Sequence, residues 1–445
     1  ALACAAPAAL AAALWLASRR AQAAKDANRP VTAHPKSSGP RPVGQEAVMS
    51  FRRQPIRWTE AHIPPEEVRE WMGRGDAADA RFRRGMGAEA FERAVAPLAE
   101  MPPWVDWQLL DEGCRFFVQA WPFVFLGFSW ALFGGFGAES AAAVLLKSRY
   151  WAATGDSGRQ DTWLRLRETA CWLYDAAAHG AEGFVPGGVS WKACLHVRYL
   201  HCRTRASISA SGSWEAERER HGEPINQVQV IGTLLGSSVL LLQGMEELAG
   251  CSLPKRKKEA FIHLWRVIGF LFGIDDDKNP NVSYDKACIA MESVFTEGIP
   301  EAPDPALTAV LTKHICESVA HGIRTEFRLP ATAGMVASVP WLFLGEAYGK
   351  AIGLPPSTRV ALFLGCCRLL LMRALLLAYV LVPGAPWAFE RIMGYGFRAM
   401  VLAIRSRQPG CRFGAVCPMG GAGGAAGGTA AAACPMGGAA GGAAG

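Results

Sequence analysis

Hydrophobic positions recur at helical spacing over most of the chain. The stretches "PPEEVREWM", "GAEAFERAVAPLAE", "DTWLRLRETACWLYDAAAH", "QVQVIGTLLGSSVLLLQGMEELAG" and "KKEAFIHLWRVIGFLFGI" place apolar residues three and four apart, which gathers them on one helix face. Alternating strand-like runs are nearly absent. The pattern predicts an all-α fold. Two stretches are apolar on every face instead. Arg115–Gly137 reads as a helix that is buried or in contact with a membrane. Val360–Gly384 is interrupted by Arg368 and Arg373, which argues against a simple lipid-exposed span. It predicts a helix lying against a membrane or packed on the domain.

The two ends read differently. An Ala-rich apolar run to Ser18 is followed by Arg19 and Arg20, and Asp26 is the only acid before Glu46. Two readings stand: a membrane anchor that leaves the body cytosolic, or an organellar presequence. Asn28–Gly44 has the Pro/Ser/Gly composition of a linker. Beyond Arg412 the chain carries no charge and repeats "CPMGGA" at Cys417 and Cys434 within Gly/Ala filler, a low-complexity tail. The expected organisation is therefore an anchor or targeting segment with its linker over 1–44, a helical domain over 45–408, and a disordered tail over 409–445.

Composition narrows the class. The 445 residues are 51% hydrophobic, with 15 Trp and 21 Phe, enough for a sizeable core. The net charge of +7 is dispersed. Its one tight basic run, "PKRKKEAF" (Pro254–Phe261), reads as a solvated helix start. No nucleic-acid partner is expected, because basic and aromatic residues are not interleaved. The 13 cysteines show no C-x-x-C pair and no zinc spacing, which fits thiols in a reducing compartment.

The densest cluster of candidate chemistry is "HVRYLHCRTR", His196 to Arg205. With about 100° per residue, Arg198, His201 and Arg205 fall on one stripe and His196 falls off it. Two arginines beside His201 hold it in a positive field that favours neutral imidazole, the form able to ligate a metal. A boundary histidine among solvated charges is the alternative. His263, His314 and His321 sit singly in helical segments and read as core or boundary residues. In "GEPINQ", Pro224 is expected in a first helical turn, with Asn226 and Gln227 capping or bracing.

Six phrases in register resemble the rubber oxygenase (latex clearing protein) catalytic domain, which the fungal ER-bound oxygenase of mycophenolic acid biosynthesis shares. They are "PWVDWQLLDEGCRFF", "GGFGAESAAAVLLKSRYW", "RLRETACWLYD", "VRYLHCRTR", "GEPINQVQVIGTLLG" and "HLWRVIGFLFGIDDD". "GDAADA" (Gly75–Ala80) resembles the fungal branch, and the likeness runs from about Met72 to Met400. The resemblance implies a globin-like helical core around one b-type haem. It also implies O₂-dependent cleavage of a carbon–carbon double bond in a lipophilic isoprenoid substrate, and association with the endoplasmic reticulum membrane. By the family's Arg-x-x-His-x-x-x-Arg motif, His201 would be the axial ligand of the iron. Arg198 and Arg205 would neutralise haem propionates or hold the helix.

On the distal side the resemblance implies Arg165, the residue at 168 and Thr169 as catalytic. Rubber-cleaving members carry Arg-x-x-Lys-Thr there, whereas this chain has Glu168 in the lysine position. An acid that those enzymes carry earlier falls near Arg149. The two positions are charge-swapped, and Glu168 is expected to be ion-paired and to position an arginine. The competing reading is a haem-binding membrane protein, a sensor or carrier, that has no oxygenase turnover.

Overall fold

The structure, a computed structural model, describes residue 98 and residues 100–148, 155–299 and 303–407. The expected segment 1–44, Gly75–Ala80, Arg149 and the tail 409–445 lie outside the described residues. No strand occurs among the described residues, and the fold is all-α as the spacing predicts.

Helix α1 (Trp107–Gly135) is the axis of the assembly. Asp106 caps it by accepting from the Leu109 amide, and the Asp106 amide donates to His263 Nε2 at 3.0 Å. His263 is thus a structural acceptor, as expected. The apolar stretch of α1 packs against several other helices. Its main neighbour is α8 (Lys255–Phe272). A Cβ at Gly113 would lie 2.3 Å from the Ala260 carbonyl oxygen, so glycine is what lets the two backbones approach. Phe116 and Phe117 close the contact on Phe261, at 5.5 and 6.2 Å between centroids.

Around this pair stand α3 (Gly155–Ala177), α4 (Val189–Ala210), α6 (Gln227–Ser237) and α7 (Val239–Ala249), with short α2 (Glu139–Lys147) and α5 (Glu215–His221). Then follow α9 (Tyr284–Gly298), α10 (Pro305–Phe327), α11 (Ala333–Ala351), α12 (Arg359–Leu381) and α13 (Ala385–Arg407). The helically spaced stretch over Gln227–Ala249 is broken at Ser238, whose hydroxyl donates to the Leu234 carbonyl at 2.8 Å. The basic run opens α8 as predicted, with Arg256 reaching Glu112 by two bonds of 2.7 and 2.9 Å. No disulfide joins the nine described cysteines.

Among the described residues, three stretches are long and apolar enough to cross a membrane, but they are enclosed to different degrees. Trp107–Gly135 is 53% buried and Gln227–Ala249 78%, whereas Arg359–Leu381 is only 28% buried.

Candidate functional site

Helix α4 packs between α3 and α8. His201 lies on it half-buried, with Nδ1 shut away from solvent and its ring edge-on to Phe272 at 5.8 Å. His196, on the opposite side of α4, is 5% exposed, and burial pushes its imidazole down to about 4. It is a neutral core residue. The two histidines therefore lie on different sides of α4, as the stripe of Arg198, His201 and Arg205 predicts: His196 is deeply enclosed and His201 faces an aromatic edge.

Phe272 is held in place by the end of its helix. Gly273, at φ 95°, terminates α8 in the left-handed region. The buried Gln227 side chain then clamps the turn, donating to the Gly273 carbonyl at 2.9 Å and accepting from the Asp275 amide at 3.1 Å. Trp172 of α3 stands on the same phenylalanine, 5.5 Å away, and its indole N–H donates to the Ala193 carbonyl of α4 at 3.2 Å. His201, Phe272 and Trp172 thus join three helices at one place.

Trp172 also fixes which side of α3 faces α4. Arg165, Glu168 and Thr169 precede it by seven, four and three residues, so they share its stripe. The opposite side of α3 is committed to α10. Trp163 packs against Gly322, where a Cβ would come within 2.1 Å of the indole ring. Arg167 is ion-paired with Glu326, while Thr162, seven residues before Thr169 and on its side, also reaches that helix by bonding His314 Nε2 at 2.9 Å. Glu168 is buried at 6% exposure, and Arg165 is half-buried. The Thr169 hydroxyl donates to the Arg165 carbonyl at 2.9 Å, so its proton is already engaged.

The two arginines flanking His201 are both buried. Arg205 takes the helix-holding role. Its Nε donates to the Pro224 carbonyl at 2.9 Å and its Nη2 to the Ile225 carbonyl. Those carbonyls belong to a turn in which Ile225 adopts φ 54°, a conformation that side chains with a branched Cβ rarely take. Asn226 completes the turn by donating to the His221 and Glu223 carbonyls and by capping α6 in a reciprocal box with Gln229. The bracing expected of Asn226 and Gln227 is present. The placement of Pro224 in a first helical turn is corrected: α6 starts at Gln227, because the Asn226–Gln229 box sets the boundary.

The catalytic-domain model of the ER-bound oxygenase mpaB/B'/Rubber oxygenase family matches residues 116–375, more than half of the chain. The chain belongs to this oxygenase family. The matched span contains α3, α4 and α8 entire, and so the whole His201–Phe272–Trp172 junction. The rubber oxygenase of Streptomyces sp. (strain K30) is 24% identical over 297 residues, covering 66% of this chain and 68% of the relative. A solved structure of latex clearing protein in its closed state aligns with TM-score 0.49 and 19% identity, over 76% of this chain and 85% of that one.

Sequence reasoning missed Phe272 and Trp172, although both lie in quoted family phrases. Phe272 directly precedes Gly273, and a bulky aromatic ahead of a helix-terminating glycine is the signal that marks it. Nothing in the local pattern announces the Arg167–Glu326 pair, whose members are far apart in sequence.

Proposed function

We propose that this oxygenase would use b-type haem, held by His201, to cleave a carbon–carbon double bond of a lipophilic isoprenoid substrate with O₂. The observation that carries the reading is the placement of His201, half-buried and aromatic-flanked on the helix that faces the Arg165–Glu168–Thr169 stripe. The residues fit such a group in kind. His201 would hold the iron through its imidazole, and the shielded Nδ1 beside a Phe272 edge is an environment that suits the neutral ligand form. When bound, the haem would supply the redox chemistry of O₂-dependent cleavage to carbonyl products.

The chain's own residues do the rest. Arg198, one turn before His201, is assigned the neutralisation of haem carboxylates, since Arg205 is directed at the Pro224–Ile225 turn. Arg205 acts on the site indirectly by fixing where α4 meets that turn. On α3, Arg165 supplies positive charge and Glu168 holds it in position through ion pairing, which replaces the lysine of rubber-cleaving relatives. Thr169, with its proton on the Arg165 carbonyl, contributes acceptor lone pairs rather than a donor. A lipid-borne substrate accords with association of the protein with the endoplasmic reticulum membrane, its body on the cytosolic side.

The experiment compares His201→Ala with His196→Gln. The first should keep its helical circular dichroism and lose most haem absorbance. The second should keep haem and lose stability. Equal haem content in the two would remove His201 as the haem ligand. Incubation of the haem-loaded protein with O₂ and a polyprenyl substrate, with carbonyl products as readout, tests turnover. Haem binding without products would leave the sensor or carrier reading.

A further inference from the structure

Helices α12 and α13 form a hairpin whose inner face is tied to the body and whose outer face is apolar and exposed. The inner face is specific. Tyr379 donates to Gln119 Oε1 at 2.7 Å, and Gln119 in turn donates to Glu390 at 2.9 Å. The Trp121 indole reaches the Met393 carbonyl at 2.7 Å, while Phe397 is fully buried and stacks on Trp121. Arg405 pairs with Asp175 of α3 at 2.6 Å. With these contacts made, the hairpin can turn only one side outward.

That side shows Leu364 and Leu371, seven residues apart on one stripe of α12, and Leu381 at its end. On α13 it shows Trp387, Ile392, Tyr395 and Leu402, with Tyr395 77% exposed. The charge on the hairpin is one-signed. Residues 359–407 hold seven arginines and no lysine or aspartate, and their one glutamate, Glu390, accepts the inward bond from Gln119. Arg359, Arg368, Arg391 and Arg398 are exposed among the apolar residues, and Arg391 lies over the Trp387 ring at 4.9 Å.

We propose that this hairpin is an interfacial membrane-binding face, which rests flat on a bilayer leaflet carrying anionic headgroups. This deepens the membrane association proposed above by naming the surface and the lipid chemistry. An apolar stripe with arginines and aromatic rings at its margin is the composition of helices that lie in the interface plane. Trp and Tyr favour the headgroup level, and each arginine adds attraction to an anionic leaflet. One face of α12 is packed on α7 and α11, which leaves the other for the leaflet. A second copy of the same face would set arginine against arginine. Anionic lipid is the partner that the charge selects.

Hydroxyl-radical footprinting of the full chain tests the surface directly, with vesicles of phosphatidylcholine alone or mixed with phosphatidylserine. Oxidation of Trp387 and Tyr395 should fall about fivefold on the anionic vesicles, as their side chains enter the interface. The double variant Arg391→Gln/Arg398→Gln should need about thirtyfold more anionic lipid for the same protection. Protein that sediments with vesicles while Trp387 and Tyr395 stay fully oxidised would overturn this surface and leave membrane association itself intact. Protection already present without vesicles would overturn it in favour of a second copy or the chain's own first 97 residues. Equal protection by uncharged vesicles would overturn the anionic selectivity.

Discussion

Acidification should expose the difference between the two histidines of α4. His196 is 5% exposed and its imidazole is pushed down to about 4 by burial. In the unfolded chain it would titrate near ~6.5. Its folded value is depressed, so the stabilisation is present above the unfolded value and is lost as the pH falls through it. Below pH ~6.5 the unfolded chain takes up a proton that the folded one refuses. From about pH 7.5 to about pH 5 that difference amounts to ~2 kcal/mol for this one group, approaching ~3 kcal/mol near pH 4. His221, His263 and His314 are also lowered by burial, so the wild type should lose more than this in total. The assay is urea denaturation at the two pH values for wild type and His196→Gln. The variant should be less stable at neutral pH and should lose ~2 kcal/mol less on acidification. An unchanged acid loss in His196→Gln would mean that His196 is not the enclosed histidine. The rotation of α4, and with it the orientation of His201, would then be wrong.

Arg205→Ala should destabilise the fold by about 3 kcal/mol, because two buried carbonyls lose charge-assisted donors beside a left-handed isoleucine. Arg205→Lys should restore only part of it, since an ammonium cannot reproduce the fork; full rescue in urea denaturation would deny the bidentate brace. For the opposite helix, Glu168→Gln should keep haem and lower product formation, and Arg165→Ala should lower it further. Unmodified turnover in both variants would place that stripe of α3 away from the chemistry.

What could be read in advance follows from how local each signal is. Helical spacing depends on residues three and four apart, so the all-α fold and the shared stripe of Arg198, His201 and Arg205 were legible before any coordinates. So was the exceptional character of Val360–Gly384, where two arginines interrupt an apolar run. The target of Arg205 was not, because backbone carbonyls carry no sequence signature, and the turn that presents them uses isoleucine rather than glycine at φ 54°. Pro224 misled for a related reason: proline is permitted at a helix start but does not enforce one, and the Asn226–Gln229 box three residues on decided the boundary. The charge swap proposed at Glu168 shows the same limit. Sequence identifies the residue that departs from its relatives. Only the Trp172 contact with α4 shows that the departure lies on the face directed at the helix of His201, where an unpaired carboxylate would be costly and a paired one can aim an arginine.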